Sequence, residues 1–234
     1  MPAGTITVMI DGTPPDTIGP AALLKLQTWL SPAFPVGAFG YSHGLEAAIA
    51  AGLLRRADDC ADWIETLLVH GSGWNDLVLL AAAHRAAMAG DAGALTEVAE
   101  LAGALSGSAE RRRETAELGS AFAAAAAPWG SGTVEAMAYP VAVGALAARE
   151  SVPLGAAATA FAHAFAANLL SVCVRLVPLG QREAVAILHQ LEPVLVETAR
   201  RAATSTLDDL GSATILSDIQ AMRHETLETR LFRT

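Results

Sequence analysis

Six histidines, two cysteines and one lysine are the side chains with which this chain could ligate a metal or form a covalent intermediate. His43, His70, His84, His163, His189 and His224 are scattered, and none is paired at i,i+3 or i,i+4, the spacing that sets two imidazoles on one helix face. His224-Glu225 is followed by Thr226, Leu227 and Glu228, so the second histidine of a zinc-protease helix is missing. His163, flanked by Ala and Phe, reads as a core histidine. Lys25 is the only lysine and no glycine-rich loop precedes it, which leaves no phosphate-binding loop. Cys60 and Cys173 are far apart in apolar stretches and read as buried free thiols, in keeping with a reducing cytoplasm. Nucleophile-elbow, paired-cysteine and dinucleotide signatures are absent as well. These residues point away from catalysis and from a bound cofactor.

Two segments carry more than packing requires. The first runs from Ser31 to Glu46 (SPAFPVGAFGYSHGLE) and sets Phe34, Phe39 and Tyr41 among prolines and glycines, which stiffen a loop and permit left-handed turns. Ser42 is placed to cap the helix that follows, and Glu46 falls in its first turn, where the helix dipole favours a negative charge. The second is the tail, Ser217 to Thr234 (SDIQAMRHETLETRLFRT). Its helix has a thin apolar stripe of Ile215, Ile219 and Met222, and it ends in Arg230-Leu231-Phe232-Arg233-Thr234. Apolar anchors between arginines make a poor core element and a good docking peptide.

The composition of the elements that must position these segments is helical. The chain is 53% hydrophobic but only 5% aromatic, and roughly a fifth of it is alanine, the strongest helix former. Charge is −9, with 24 acidic and 15 basic side chains, which argues against nucleic acid as a partner. The acids concentrate between residues 55 and 110, and the last twelve residues lean basic. Residues 151–174 hold no charged side chain and meet the length criterion for a membrane span. Their apolarity is mostly alanine, with His163 and Asn168 near the middle, and the large residues Phe161, Phe165, Leu169, Val172 and Leu176 form one stripe. That pattern predicts a central helix of a soluble bundle, packed closely against small Ala157, Ala160, Ala164, Ala167 and Ser171.

Periodicity and punctuation predict an all-α, single-domain bundle of roughly ten helices. Residues 1–19 read as a mobile segment without a secretory signal, 20–214 as the helical domain, and 215–234 as a terminal helix and docking tail. Predicted helices cover Leu23–Leu30, Leu45–Leu54, Ala57–His70, Trp74–Met88, Ala92–Leu105, Ala109–Ala127, Met137–Arg149, the central stretch, and Arg182–Ala203 with a kink at Pro193. Gly71-Ser72-Gly73 reads as a hinge. Ser217 followed by Gln220 reads as the cap that opens the final helix, and Glu110-Arg111-Arg112-Arg113-Glu114 as a solvated helix face.

Ser31-Pro32 through Pro35-Val36-Gly37-Ala38-Phe39 to Tyr41-Ser42-His43-Gly44-Leu45-Glu46 resembles the N-terminal signature of the urease accessory protein UreF family. Arg175-Leu176-Val177-Pro178-Leu179-Gly180-Gln181 resembles its central signature, and Asp218 through Met222-Arg223-His224-Glu225 to Arg230-Leu231-Phe232-Arg233 its C-terminal one. Thr234 stands where the family commonly ends in Ser. The resemblance implies an all-α scaffold with no activity of its own, in the cytoplasm. It implies binding to UreD (also called UreH), dimerisation, and recruitment of the GTPase UreG to deliver nickel to apo-urease. Carried over residue by residue, the UreD-facing set is Phe39, Tyr41, Met222, Arg223, His224, Glu225, Arg230, Leu231, Phe232 and Arg233. Pro35, Gly37, Ser42, Gly44, Glu46, Pro178 and Gly180 are signature residues of the fold. An alternative is direct regulation of the GTPase by an inserted arginine, with Arg175 and Arg182 as candidates; a nickel-binding chaperone is disfavoured by the scattered histidines. Ordering the tail costs about 1–2 kcal/mol per residue, more than burying Leu231 and Phe232 returns at about 1.5–3 kcal/mol each. Charged partners must share the load.

Overall fold

A computed structural model describes residues 18–130 and 137–234. The expected mobile segment 1–19 lies almost wholly outside the described residues. Helices α1 (Pro20–Trp29), α2 (Leu45–Ala50), α3 (Ala57–His70), α4 (Ser72–Ala89) and α5 (Ala92–Ala104) are followed by α6 (Ala109–Ala125) and α7 (Tyr139–Arg149). The chain then forms α8 (Leu154–Leu176), α9 (Gln181–Thr204) and α10 (Ile215–His224). No strand occurs among the described residues, and the fold is an all-α bundle.

Local chemistry sets the ends. Asp91 accepts the Ala94 N–H to open α5, and Ser108 accepts the Arg111 N–H to open α6. Pro140 sits at the start of α7, where its missing N–H costs nothing. Some predicted boundaries move. The hinge after α3 shrinks to Gly71, because Ser72 and Gly73 belong to α4. α9 runs through Pro193 without a break. α10 begins after Thr214, so Ser217 is a buried residue inside it and not its cap.

α4 is the central element. It packs most extensively on α7 and also meets α3, α5, α8 and α9. One large core joins Leu77 and Leu80 of α4 to Ile64, Val143, Leu169 and Leu191 of the surrounding helices. A smaller cluster of Leu79, Leu95, Val98 and Val141 lies between α4, α5 and α7. Alanine permits the close approach: Ala81, Ala147, Ala162 and Ala199 are fully buried, and a Cβ on Gly144 would stand 2.3 Å from the Leu80 carbonyl oxygen. Such interiors have no room for an added methyl group.

α8 is long and apolar enough to cross a membrane by length and composition. Within the bundle its Phe161, Phe165, Leu169 and Val172 are buried, and it packs on α9 and α4. The small-residue row divides: Ala157 is fully buried and Ala160 packs against the core as expected, whereas Ala164, Ala167 and Ser171 line a cavity. His163 is exposed at that cavity and is not a core histidine. Lys25 is spent on structure, with its Nζ 2.5 Å from the Glu150 carboxylate.

Candidate functional site

The loop between α1 and α2 is built by backbone constraint. Ser31 Oγ accepts the Ala33 N–H at 3.1 Å, Gly37 takes a left-handed φ of 79°, and Ala38–Gly40 forms one 3-10 turn. His43 and Gly44 are then left-handed in succession, at φ 54° and 77°, and the chain enters α2. Gly44 is required twice over, since a Cβ there would lie 2.6 Å from the backbone nitrogen of Ala221 on α10. Ser42 is not the formal cap residue, yet its hydroxyl oxygen accepts the Glu46 N–H at 3.3 Å. The aromatics part company: Phe34 is buried beside Phe122 and Trp129, Tyr41 is buried, and Phe39 is 63% exposed.

The terminal helix and tail close on this loop. α10 packs on α2 and α6, and the face it buries is Ser217, Gln220, Ala221 and His224. The apolar stripe therefore points the opposite way from a core-seeking helix, leaving Ile215, Leu216, Ile219 and Met222 exposed. Arg223 and Glu225 are exposed too, and Glu225 accepts the Ala109 N–H at the start of α6. Beyond the helix, Leu231 and Phe232 donate their N–H groups to the Glu46 carboxylate at 2.7 and 3.0 Å. Arg233 N–H donates to the Gly40 carbonyl and Ser42 N–H to the Thr234 carbonyl, at 2.8 and 2.9 Å; the Ser42 hydroxyl also donates to Thr234 O. Phe232 is 4% exposed while Leu231 is 74% exposed. Arg175, at the end of α8, lies 5.3 Å over the Phe232 ring and donates to the Phe39 carbonyl at 3.1 Å. Of the remaining signature residues, Pro35 and Pro178 are exposed turn positions and Gly180 precedes α9, donating its N–H to Glu183. Arg182 is exposed in the first turn of α9.

The expected solvated run on α6 is corrected by the structure. Arg112 and Arg113 face solvent, but Glu114 is buried and Arg111 mostly so. Glu110, Glu114 and Glu117, at i, i+4 and i+7, form one stripe under the tail. Glu110 receives Arg230 at 2.6 Å and His224 Nδ1 at 2.7 Å. Glu114 accepts the Thr234 hydroxyl at 2.8 Å. Glu117 accepts the Tyr41 hydroxyl at 2.5 Å and lies 3.4 Å from Arg233. This stripe is legible as a spacing, but its partners lie 76 to 120 residues away in the chain, beyond the reach of local pattern.

Beneath the stripe is a charged core. Arg111 Nη1 and His43 Nε2 both meet Glu114 Oε1, at 2.6 and 2.7 Å, and Arg111 Nη2 stands 3.9 Å from Asp76. Burial would raise the pKa of Glu114, but Arg111 foremost holds it down at about 2. Asp76 lacks so close a partner, and burial pushes its carboxyl up to about 6. Burial foremost, with Arg111, pushes the His43 imidazole below its ordinary pKa against the pull of Glu114. These four groups floor a cavity of about 290 Å³ walled by Phe34, Phe39, Leu118, Phe161 and Phe165. Among the described residues no group of three or more His, Cys, Asp or Glu side chains is arranged to hold a metal ion. The arrangement provides an ordered, mixed apolar and charged surface at the meeting of loop, α6, α8 and tail.

The UreF family model matches residues 54–192, more than half of the chain. The chain is 54% identical over 219 residues to the urease accessory protein UreF of Agrobacterium fabrum, spanning 92% of this chain and 97% of that relative. It is 52% identical over 229 residues to urease accessory protein UreF 1 of Brucella canis, spanning 96% and 100%. A third relative, urease accessory protein UreF of Rhizobium etli, is 53% identical over 216 residues, spanning 91% and 96%. With identity above half maintained along nearly the whole chain, the protein belongs to the UreF family of urease accessory proteins.

Proposed function

We propose that this chain is a non-enzymatic scaffold of urease maturation, which binds UreD/UreH, recruits the GTPase UreG, and so directs nickel to apo-urease as a dimeric cytoplasmic protein. The observation that carries the reading is the outward apolar face beside the joined signatures. Ile215, Leu216, Ile219 and Met222 of α10, with Leu231 of the tail, are all exposed. A helix that turns its apolar residues outward while burying Gln220 and His224 supports a partner-facing role, because such side chains gain only by being covered. Phe39 adds a second anchor across Arg175. The UreD-facing set divides accordingly. On this reading Phe39, Met222, Arg223 and Leu231, all exposed, meet the partner, and Tyr41, His224, Glu225, Arg230, Phe232 and Arg233 hold the surface in shape.

Co-expression with the cognate UreD tests this. Met222→Glu and Leu231→Glu should abolish co-purification while leaving the helical content and melting temperature of the isolated protein unchanged. Full binding by both variants would refute the assignment. Reconstitution with UreD and UreG, read by urease activation, then tests the scaffold role, and UreG hydrolysis rates with Arg175→Ala and Arg182→Ala test the GTPase-regulating alternative.

A further inference from the structure

His224 is fully buried, and both of its ring nitrogens face carboxylate oxygens. Nδ1 lies 2.7 Å from Glu110 Oε2 and Nε2 lies 3.0 Å from Glu46 Oε2. A neutral imidazole has one N–H and one lone pair, so it can donate to only one of these oxygens; the other contact would set two acceptors face to face. Moving the missing proton onto a carboxylate is opposed by the other donors present. Glu46 already accepts the N–H groups of Leu231 and Phe232, and its carboxyl stays below its ordinary pKa in spite of burial because His224 and these amides favour the anion. Glu110 already accepts Arg230.

The charges agree with the hydrogen bonds. The groups that face the imidazole are Glu46 from α2 and Glu110 from α6, with Arg230 of the tail on the far side of Glu110. On α10 its neighbours Arg223 and Glu225 are exposed. Two carboxylates and one guanidinium leave one negative charge, and the imidazolium cancels it. A neutral ring would leave that charge uncompensated at a site where His224 has no access to water, which is costly.

We propose that His224 is a proton-operated latch for the tail. As an imidazolium it ties together the two carboxylates that hold residues 230–232. On losing a proton it releases one of them, and residues 230–232 loosen on α2 and α6. Both arms end on the tail itself, Glu46 through two backbone amides and Glu110 through Arg230, so either release loosens the same segment. The latch does not depend on which partner covers the outer face of α10.

Amide exchange of Leu231 and Phe232 in the full-length protein, referenced to an unstructured peptide of the same sequence, reads the latch directly. As the pH is raised and the imidazolium loses its proton, wild-type protection should fall about tenfold, the worth of one charge-assisted hydrogen bond. Core amides of α4 should keep theirs. His224→Gln, which has a donor for one carboxylate only, should show weak protection with no step in pH. A flat wild-type profile, or the same step in H224Q, overturns the proposal. The ring nitrogen NMR signals of wild-type His224 give a check that needs no variant: both nitrogens protonated wherever Leu231 and Phe232 are protected is the expected state, and a singly protonated ring with the same protection overturns it.

Discussion

Gly44 and Ala221 are 177 positions apart in the chain, and a Cβ on the glycine would stand 2.6 Å from the alanine's backbone nitrogen. The N-terminal signature and the terminal helix are thus in backbone contact, with no side chain between them. Gly44→Ala should destabilise the protein by about 2–4 kcal/mol, combining a left-handed φ with a backbone collision. Gly37 has a similar φ of 79° but open space around it, so Gly37→Ala should cost only about 1–2 kcal/mol. Urea unfolding of the two variants separates the terms.

Asp76 destabilises the fold at neutral pH. Its carboxyl titrates at about 6 against an ordinary 3.8, so folding takes up a proton between these values and the charged form is penalised above them. Asp76→Asn should therefore raise stability by about 1–2 kcal/mol above pH 6, and the two proteins should converge below about pH 4. Chemical denaturation across that range measures it.

Glu114 acts with the opposite sign. Its pKa is depressed from 4.5 to about 2, so its contribution is complete above the unfolded value and fades as the pH falls towards the folded one. The gap corresponds to about 3 kcal/mol. Glu114→Gln should lose about that much at neutral pH, with the difference closing in strong acid, again by denaturant titration.

Leu231 and Phe232 should separate binding from stability. Phe232 is buried under Arg175, and Phe232→Ala should cost about 3 kcal/mol or free the tail outright. Leu231→Ala removes an exposed side chain and should stay within about 0.5 kcal/mol of wild type while weakening capture of UreD. Melting curves beside pull-down yields distinguish the two effects.

Elements were legible where the controlling interactions are local. α3 runs over Ala57–His70 as its periodicity predicts, because caps, proline and glycine act within a turn or two of themselves. The two signature segments were legible as unusual for the same reason: their aromatic, glycine and arginine content departs from what a bundle needs. Glu110, Arg111 and Glu114 look like a wet surface in sequence, since a charged run next to itself reads as solvated. His163, expected in the core, is exposed, and the burial of His224 has no local signal.

The sequence by itself determined the all-α class, the order of the helices, the absence of a catalytic signature and the family, because each rests on residue type and short-range spacing. Only the tertiary structure decided that the two signatures lie against each other, that Phe232 turns in and Leu231 out, and that α10 buries its polar face. Those outcomes depend on charges and backbone groups from α2, α6 and the tail compensating one another after burial, and burial is a property of the assembled bundle.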